Sequence, residues 1–184
     1  DTDNDQIDFG LYPTQPEHLG EVSLSSLATR CNETSTFFLT YTNTGAFVES
    51  GSVQLCLDTL TSFISAVPSP DSISPGGDAL FWSFDNFYPF QTQTIHLLLE
   101  MPDETFTGTP LYFKNVLQYD STNQAVDTAF YEPIVLCSYD PNDKLVSPPG
   151  RDAGNYTPMG QELQYTVRFQ NTGNAPAINV KILD

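Results

Sequence analysis

The feature that most constrains this chain is a two-residue alternation of apolar and polar side chains. In the segment 36–42, Phe37, Leu39 and Tyr41 share one face, and the same alternation occurs over 53–57. Successive side chains of a β-strand point to opposite faces, so this pattern predicts strands with one buried side. Apolar residues at i, i+3, i+4 and i+7 do not recur over any segment of helix length. The sequence therefore predicts an all-β fold.

Turn residues separate the predicted strands at regular intervals. Asn-Thr-Gly at 43–45, Pro-Gly-Gly at 75–77 and Pro-Asp at 102–103 are combinations that favour turns. The strands are predicted at 20–27, 36–42, 53–57, 61–66, 79–84, 92–100, 111–119 and 128–136. Many short strands at this spacing are typical of an immunoglobulin-like β-sandwich, which we predict over 15–137. Trp82 is expected in its core.

An internal repeat indicates a second unit of the same kind. The strand and turn at 38–45 are echoed at 166–173, and both end in Asn-Thr-Gly. We interpret each copy as the early hairpin of a separate sandwich. This predicts a linker at 138–155 and the first hairpin of a second, incomplete immunoglobulin-like domain at 156–184. Residues 1–14 are predicted to be a linker or the last strand of a preceding domain.

Charge and hydropathy exclude several classes of partner. The chain has 23 acidic and 6 basic residues, a net charge of −17. Nucleic acids and anionic membranes attract clustered Lys and Arg, so the sequence predicts binding to neither. No apolar run approaches the roughly 18–20 residues of a membrane-spanning helix, so no direct membrane insertion is expected.

Three cysteines lack the paired spacing of a zinc site. An odd number permits one disulfide and one free thiol. We predict a Cys31–Cys137 disulfide, which would join the start of the first sandwich to its end, and Cys56 is expected on the face opposite the core. The alternative is three unpaired thiols, as in a cytosolic protein. The acidic, Ser- and Thr-rich, Lys-poor composition favours an exported protein.

The segment after Cys137 is a candidate calcium site. Asp140, Asn142 and Asp143 could supply several of the six to eight oxygen ligands that calcium takes, and so stiffen the linker. The alternative is an Asx turn in which Asp140 binds its own backbone and Lys144 forms an ion pair. A second candidate calcium site is the acidic segment that contains Asp1, Asp3, Asp5 and Asp8. The alternative is that this segment is a solvated linker.

Catalytic motifs are not evident in the sequence. The only histidines are His18, in a loop, and His96, inside a predicted strand. The chain contains no G-x-S-x-G, no H-E-x-x-H and no phosphate-binding glycine loop. We therefore predict that the protein is not an enzyme.

Several segments together resemble a known family. They are Arg-Cys-Asn at 30–32, Tyr-Thr-Asn-Thr-Gly at 41–45, Cys-Ser-Tyr-Asp-Pro-Asn-Asp-Lys at 137–144 and Tyr-Thr-Val-Arg-Phe-Gln-Asn-Thr-Gly at 165–173. The chain resembles the conserved-repeat, immunoglobulin-like domains of large surface or secreted proteins of Bacteroidota-type bacteria. The resemblance implies a multidomain stalk or adhesin exported by the type IX pathway.

The same resemblance implies O-linked glycans on Asp-(Ser/Thr) triplets. The implied acceptors are Thr59, Ser72, Ser121 and Thr128. The alternative is that these triplets only form turns, which Asp-Ser and Asp-Thr favour in any case.

These observations predict a structural or adhesive repeat module of a large extracellular, cell-surface protein, without catalytic activity. Its partners would be neighbouring immunoglobulin-like domains of the same polypeptide, and other copies if strand addition between residues 5–12 and 163–184 builds a fibre. Two alternatives remain open. One is a glycan- or protein-binding sandwich module, and the other is an accessory domain of a secreted enzyme.

Overall fold

Strands account for nearly all the regular structure in the computed structural model, which describes residues 17–122, 124–138, 143–151, 154–168 and 170–181. Within these ranges no α-helix is assigned, and one 3₁₀ turn covers Glu104–Phe106. The strands are β1 Gly20–Ser26, β2 Thr34–Asn43, β3 Glu49–Cys56, β4 Ser62–Val67, β5 Ser72–Ile73, β6 Ala79–Phe87, β7 Thr92–Glu100, β8 Phe113–Tyr119, β9 Ala125–Tyr131, β10 Asp143–Ser147 and β11 Gln164–Arg168. The prediction of an all-β fold is confirmed.

The first nine strands form two antiparallel sheets. The first sheet has the order β1-β2-β7-β4, and the second has the order β5-β6-β3-β8-β9. Seven of these strands follow the arrangement of an immunoglobulin sandwich, in which A-B-E-D faces C-F-G. The short β5 and the long β6 are inserted between the D and E equivalents, and they extend the second sheet beyond β3. A separate two-stranded sheet contains β10 and β11.

One continuous apolar core lies between the two sheets, and it follows the alternation in the sequence. Phe37, Leu39 and Tyr41 of β2 are buried against Leu55 of β3, as the two-residue period predicts. Trp82 is also in this core, and its indole Nε1 donates a hydrogen bond of 3.0 Å to the carbonyl oxygen of Pro68. The described residues form no helix long and apolar enough to cross a membrane.

The pairing of β2 and β3 corrects one prediction. These strands do not form a hairpin across the first Asn-Thr-Gly turn, because β2 pairs with β1 and β7 whereas β3 pairs with β6 and β8. The chain crosses from one sheet to the other at this turn. The physical reason is that both strands bury an apolar face, and facing sheets let both faces contribute to one core.

The second copy of the repeat also pairs differently from the prediction. β11 pairs with β10, which precedes it, and no strand is assigned over 170–181. The antiparallel β10–β11 pair has the same relation to the second Asn-Thr-Gly turn as β1–β2 has to the first. The structural repeat therefore starts one strand earlier than the sequence indicated. The strands proposed for fibre formation at 5–12 lie outside the described residues.

Candidate functional site at the Asn-Thr-Gly turns

The first Asn-Thr-Gly turn is closed by a single buried amide. Asn43 is fully buried, and its Oδ1 accepts a hydrogen bond from the backbone N–H of Gly45 at 2.9 Å. Its Nδ2 donates to the carbonyl oxygens of Phe47 and Phe87, both at 2.8 Å. An Asn side chain that bonds the backbone two residues ahead is the defining contact of an Asx turn. Asn43 thereby connects the turn to the end of β6.

The second turn repeats the same bonds in a different environment. Asn171 Oδ1 accepts from the backbone N–H of Gly173 at 3.0 Å, and Asn171 Nδ2 donates to the carbonyl oxygen of Ala175 at 2.6 Å. In both copies the amide therefore bonds residues two and four positions ahead. Unlike Asn43, Asn171 is exposed.

The first turn binds the segment 17–19, which leads into β1. The carbonyl oxygen of Leu19 accepts hydrogen bonds from the backbone N–H groups of Thr44 at 3.1 Å and Gly45 at 2.9 Å. The hydroxyl of Tyr119 donates to the same oxygen at 3.1 Å. A Cβ added to Gly45 would lie 2.7 Å from the carbonyl oxygen of Glu17, so only glycine fits at this approach.

A polar cluster next to this turn also contacts the segment 17–19. The Nδ1 of His18 lies 2.5 Å from Oε1 of the buried Glu49, and Ser121 Oγ donates to Oε2 of the same carboxylate at 2.8 Å. The His18 ring stacks on Phe47 with 4.6 Å between centroids. Ser121 Oγ lies 3.1 Å from the same Nδ1, whereas a Ser–His–acid triad uses both ring nitrogens. Burial, and secondarily the charge of Glu49, raise the pKa of Tyr119 to about 12.

The second turn binds the end of the first sandwich. Asn174 Oδ1 accepts a hydrogen bond from the backbone N–H of Cys137 at 2.7 Å, and its Nδ2 donates to the carbonyl oxygen of Val135 at 3.0 Å. The backbone N–H of Ala175 donates to the carbonyl oxygen of Cys137 at 3.0 Å, and Ala175 is buried. These contacts of 174–175 with 135–137, together with the Arg30–Pro176 bond described next, are called the joint below.

The disulfide lies at the joint. The structure links Cys31 to Cys137, with 5.4 Å between their Cα atoms and a sequence separation of 106. The backbone N–H of Cys31 also donates to the carbonyl oxygen of Leu136 at 3.0 Å. Next to it, Arg30 Nη1 donates to the carbonyl oxygen of Pro176 at 3.2 Å. The two cysteines that the sequence analysis paired therefore fix the segment to which the second turn binds. Cys56 is a free thiol on the outer side of β3.

A shallow polar pocket of about 270 Å³ opens beside the disulfide. Asn32, Glu33, Glu104 and Ser138 contribute to its lining. Asn32 Nδ2 donates to Glu104 Oε2 at 2.5 Å, and this bond lowers the pKa of the exposed Glu104 carboxyl. Within the described residues, no group of three or more His, Cys, Asp or Glu side chains is placed to hold a metal ion.

The predicted calcium ligands and glycan acceptors have different positions. Asp140 and Asn142 lie outside the described residues, as do the acidic residues at 1–8, and Asp143 is described only by its backbone in β10. The four predicted acceptors are all exposed: Thr59, Ser72, Ser121 and Thr128. The preceding aspartates bond the backbone in three of the triplets, through Asp58 to Leu60, Asp71 to Ser83 and Asp127 to Thr128.

Sequence reasoning missed the residues that make the joint. Asn174 and Ala175 carry no motif, and Arg30 entered only as part of a segment that carries the family resemblance. In the polar cluster at the first turn, His18 and Glu49 are 31 positions apart. One signal could have indicated the joint. The duplication of Asn-Thr-Gly implies that both turns bind the chain segment that precedes their own unit.

One known family matches part of the chain. Residues 140–184 match a family described as a domain of unknown function, DUF7619. This match includes β10, β11 and the second turn. No curated protein sequence matches the chain.

Three solved structures match more than two thirds of this chain, each with a TM-score below 0.5. The bacterial hydrophobin BslA is 11% identical to this chain, and the match covers 68% of this chain and 99% of BslA with a TM-score of 0.45. A cohesin–dockerin complex of Clostridium thermocellum is 11% identical to this chain, and the match covers 69% of this chain and 92% of that one with a TM-score of 0.44. A DUF4466 family protein of Parabacteroides merdae is 11% identical, and the match covers 71% of this chain and 49% of that one with a TM-score of 0.37. Likeness at this level carries no information on function. The all-β sandwich itself is compatible with a non-catalytic binding or structural module.

Proposed function

We propose that this chain is a non-catalytic structural or adhesive repeat module of a large extracellular protein at the cell surface. The single observation that carries this proposal is the joint. Asn174 and Ala175 of the second unit bond the backbone of Val135 and Cys137 in the first. A flexible tether would not need these bonds, whereas a load-bearing array gains a fixed angle between successive sandwiches.

The strength of the joint follows from its hydrogen bonds. The two side-chain bonds of Asn174, the backbone bond of Ala175 and the Arg30 bond make four contacts. At about 0.5–1.5 kcal/mol each, they contribute roughly 2–6 kcal/mol before the cost of ordering the chain.

The location and the partners are part of the same proposal. A disulfide such as Cys31–Cys137 persists in oxidising compartments, which supports an extracellular position. The net charge of −17 would keep neighbouring arrays apart. The resemblance to Bacteroidota-type repeat domains adds type IX export, neighbouring sandwiches as partners and O-linked glycans. Calcium in the linker would stiffen the joint further. An accessory role beside a secreted enzyme is compatible with the same joint.

Hydrogen exchange at Ala175 tests the joint in the full chain. Asn174→Ala removes two bonds but leaves the Ala175 N–H and its acceptor, the Cys137 carbonyl oxygen, unchanged. If the joint opens cooperatively, a loss of about 1–2 kcal/mol accelerates exchange at Ala175 by roughly 5–30-fold. Gln161→Ala is the matched control, because it removes an exposed amide in the same half of the chain. Equal exchange in the two variants would show that the second turn is not held by the joint.

A further inference from the structure

The outer face of the first sheet has an unusual composition. The hydroxyl face, as we name it, consists of outward side chains on the two central strands: Phe38, Thr40, Thr42, Thr92, Thr94 and His96. β2 and β7 are in register here, so that each residue has a direct cross-strand neighbour of the same kind. Two threonine pairs and one pair of aromatic rings result.

The contacts within the hydroxyl face hold its side chains in fixed positions. The Oγ1 atoms of Thr40 and Thr94 lie 3.0 Å apart, and those of Thr42 and Thr92 lie 2.9 Å apart. A hydroxyl that donates one bond still has acceptor capacity, so each threonine pair keeps sites for a ligand. Because the threonine side chains are already fixed by these hydrogen bonds, a ligand can bind them without a further loss of side-chain entropy.

The outer strands widen the same surface. β1 places Ser23 beside Thr40, and β4 places Val67 beside His96. Val67 is 73% exposed, and the rings of Phe38 and His96 make an edge contact with 5.1 Å between centroids. Three inter-strand spacings make the surface about 14 Å wide. A flat surface of this width suits an extended ligand.

Few charged side chains lie on the hydroxyl face. The chain carries 23 acidic residues, but the nearest carboxylates in this sheet lie at opposite corners, on Glu21 beside Thr42 and on Glu100 beside Thr34. A second copy would bring two charges of −17 together, and a polyanion would be repelled. An uncharged partner would not be repelled by the charge of the chain.

We propose that the hydroxyl face binds an uncharged polysaccharide. The threonine hydroxyls would exchange hydrogen bonds with sugar hydroxyls, and the Phe38 and His96 rings with Val67 would contact the apolar C–H side of the sugar rings. Protein interfaces favour aromatic and arginine anchors at their centre. This surface has one ring pair, the half-buried Phe38 and the exposed His96, and no arginine among its described residues. This inference is independent of the joint.

Native affinity electrophoresis in gels that contain dextran, mannan, starch or xyloglucan tests the inference. We expect at least one of these polysaccharides to retard the full chain. Thr94→Glu should raise the apparent Kd obtained from that retardation by at least 10-fold, because it places a charge in the centre of the hydroxyl face. Thr94→Ser, which keeps the hydroxyl, should stay within about 3-fold of the wild type.

The control adds the same charge to the other sheet. Gln118 is exposed on β8, and Gln118→Glu should leave retardation unchanged. Unchanged thermal midpoints would show that all variants are folded. The inference is overturned if none of the four polysaccharides retards the wild type, or if Thr94→Glu and Gln118→Glu have equal effects. Loss of binding in these gels leaves the hydrogen-exchange result at the joint unaffected, so the two proposals fail separately.

Discussion

The two Asn-Thr-Gly turns provide a comparison in which chemistry is constant and burial varies. Asn43 and Asn171 make the same two turn bonds, but Asn43 is fully buried and also bonds the carbonyl oxygen of Phe87. We predict that Asn43→Ala destabilises the first sandwich strongly, and that Asn171→Ala has little effect on it. A sequence comparison alone would assign both substitutions the same cost.

The magnitude follows from the groups that lose their partner. Asn43→Ala breaks three hydrogen bonds and leaves the carbonyl oxygens of Phe47 and Phe87 without that donor. Lost bonds contribute about 0.5–1.5 kcal/mol each, and buried unpaired groups cost more, so the expected loss is about 3 kcal/mol. At Asn171 water replaces the lost bonds, and the expected loss is below about 1 kcal/mol.

Urea unfolding followed by the fluorescence of Trp82 measures both values. Trp82 is the only tryptophan of the chain and lies in the core of the first sandwich, so its signal reports on that unit. A loss of 3 kcal/mol is a large part of the 5–15 kcal/mol that stabilises a typical domain, and it corresponds to a fall of roughly 6–12 °C in Tm.

Intermediate behaviour is expected of Asn43→Asp, because it keeps the acceptor for Gly45 and loses the donor for two carbonyl oxygens. Equal losses in Asn43→Ala and Asn171→Ala would refute the reasoning. Such a result would mean that local turn chemistry, and not burial, sets the cost.

Three further outcomes are expected. Cys31→Ser with Cys137→Ser should lower stability by up to about 4.7 kcal/mol, from the loop closed over 106 residues, whereas Cys56→Ser should have no such effect in denaturant titrations. Burial raises the pKa of Tyr41 and Tyr119 to about 12, so the unfolded chain loses these protons first and stability should fall between pH 10 and 12. Urea midpoints at pH 9, 10 and 11 check this, and a flat profile would contradict it. Millimolar calcium should raise the thermal midpoint if the linker after Cys137 binds it, and an unchanged midpoint would remove that prediction.

Periodicity predicted the strands because it reflects a local requirement. Each strand of a half-buried sheet must alternate its side chains, so β2, β3 and β7 were evident from the sequence. The short β5 was not predicted, because two residues are too few to show a period. Turn residues likewise predicted the end of β2, since Asn and Gly have intrinsic preferences there.

Pairing could not be predicted in the same way, because it depends on long-range contacts. The sequence placed β2 and β3 in one hairpin, but their apolar faces meet across the core from opposite sheets. The joint depends on Asn174 and on residues 37 or more positions before it. Such contacts carry no local pattern, since only the folded chain brings them together.

The sequence by itself determined that this chain forms strands, where they turn, and that two turns have the same chemistry. These properties follow from side-chain alternation and backbone preference, which act over a few residues. Only the tertiary structure decided that one turn is buried and the other exposed, that the second turn binds the end of the first sandwich, and that two threonine pairs meet on the outer face of one sheet. These properties arise from packing between segments far apart in the chain, where burial changes the free energy of identical hydrogen bonds.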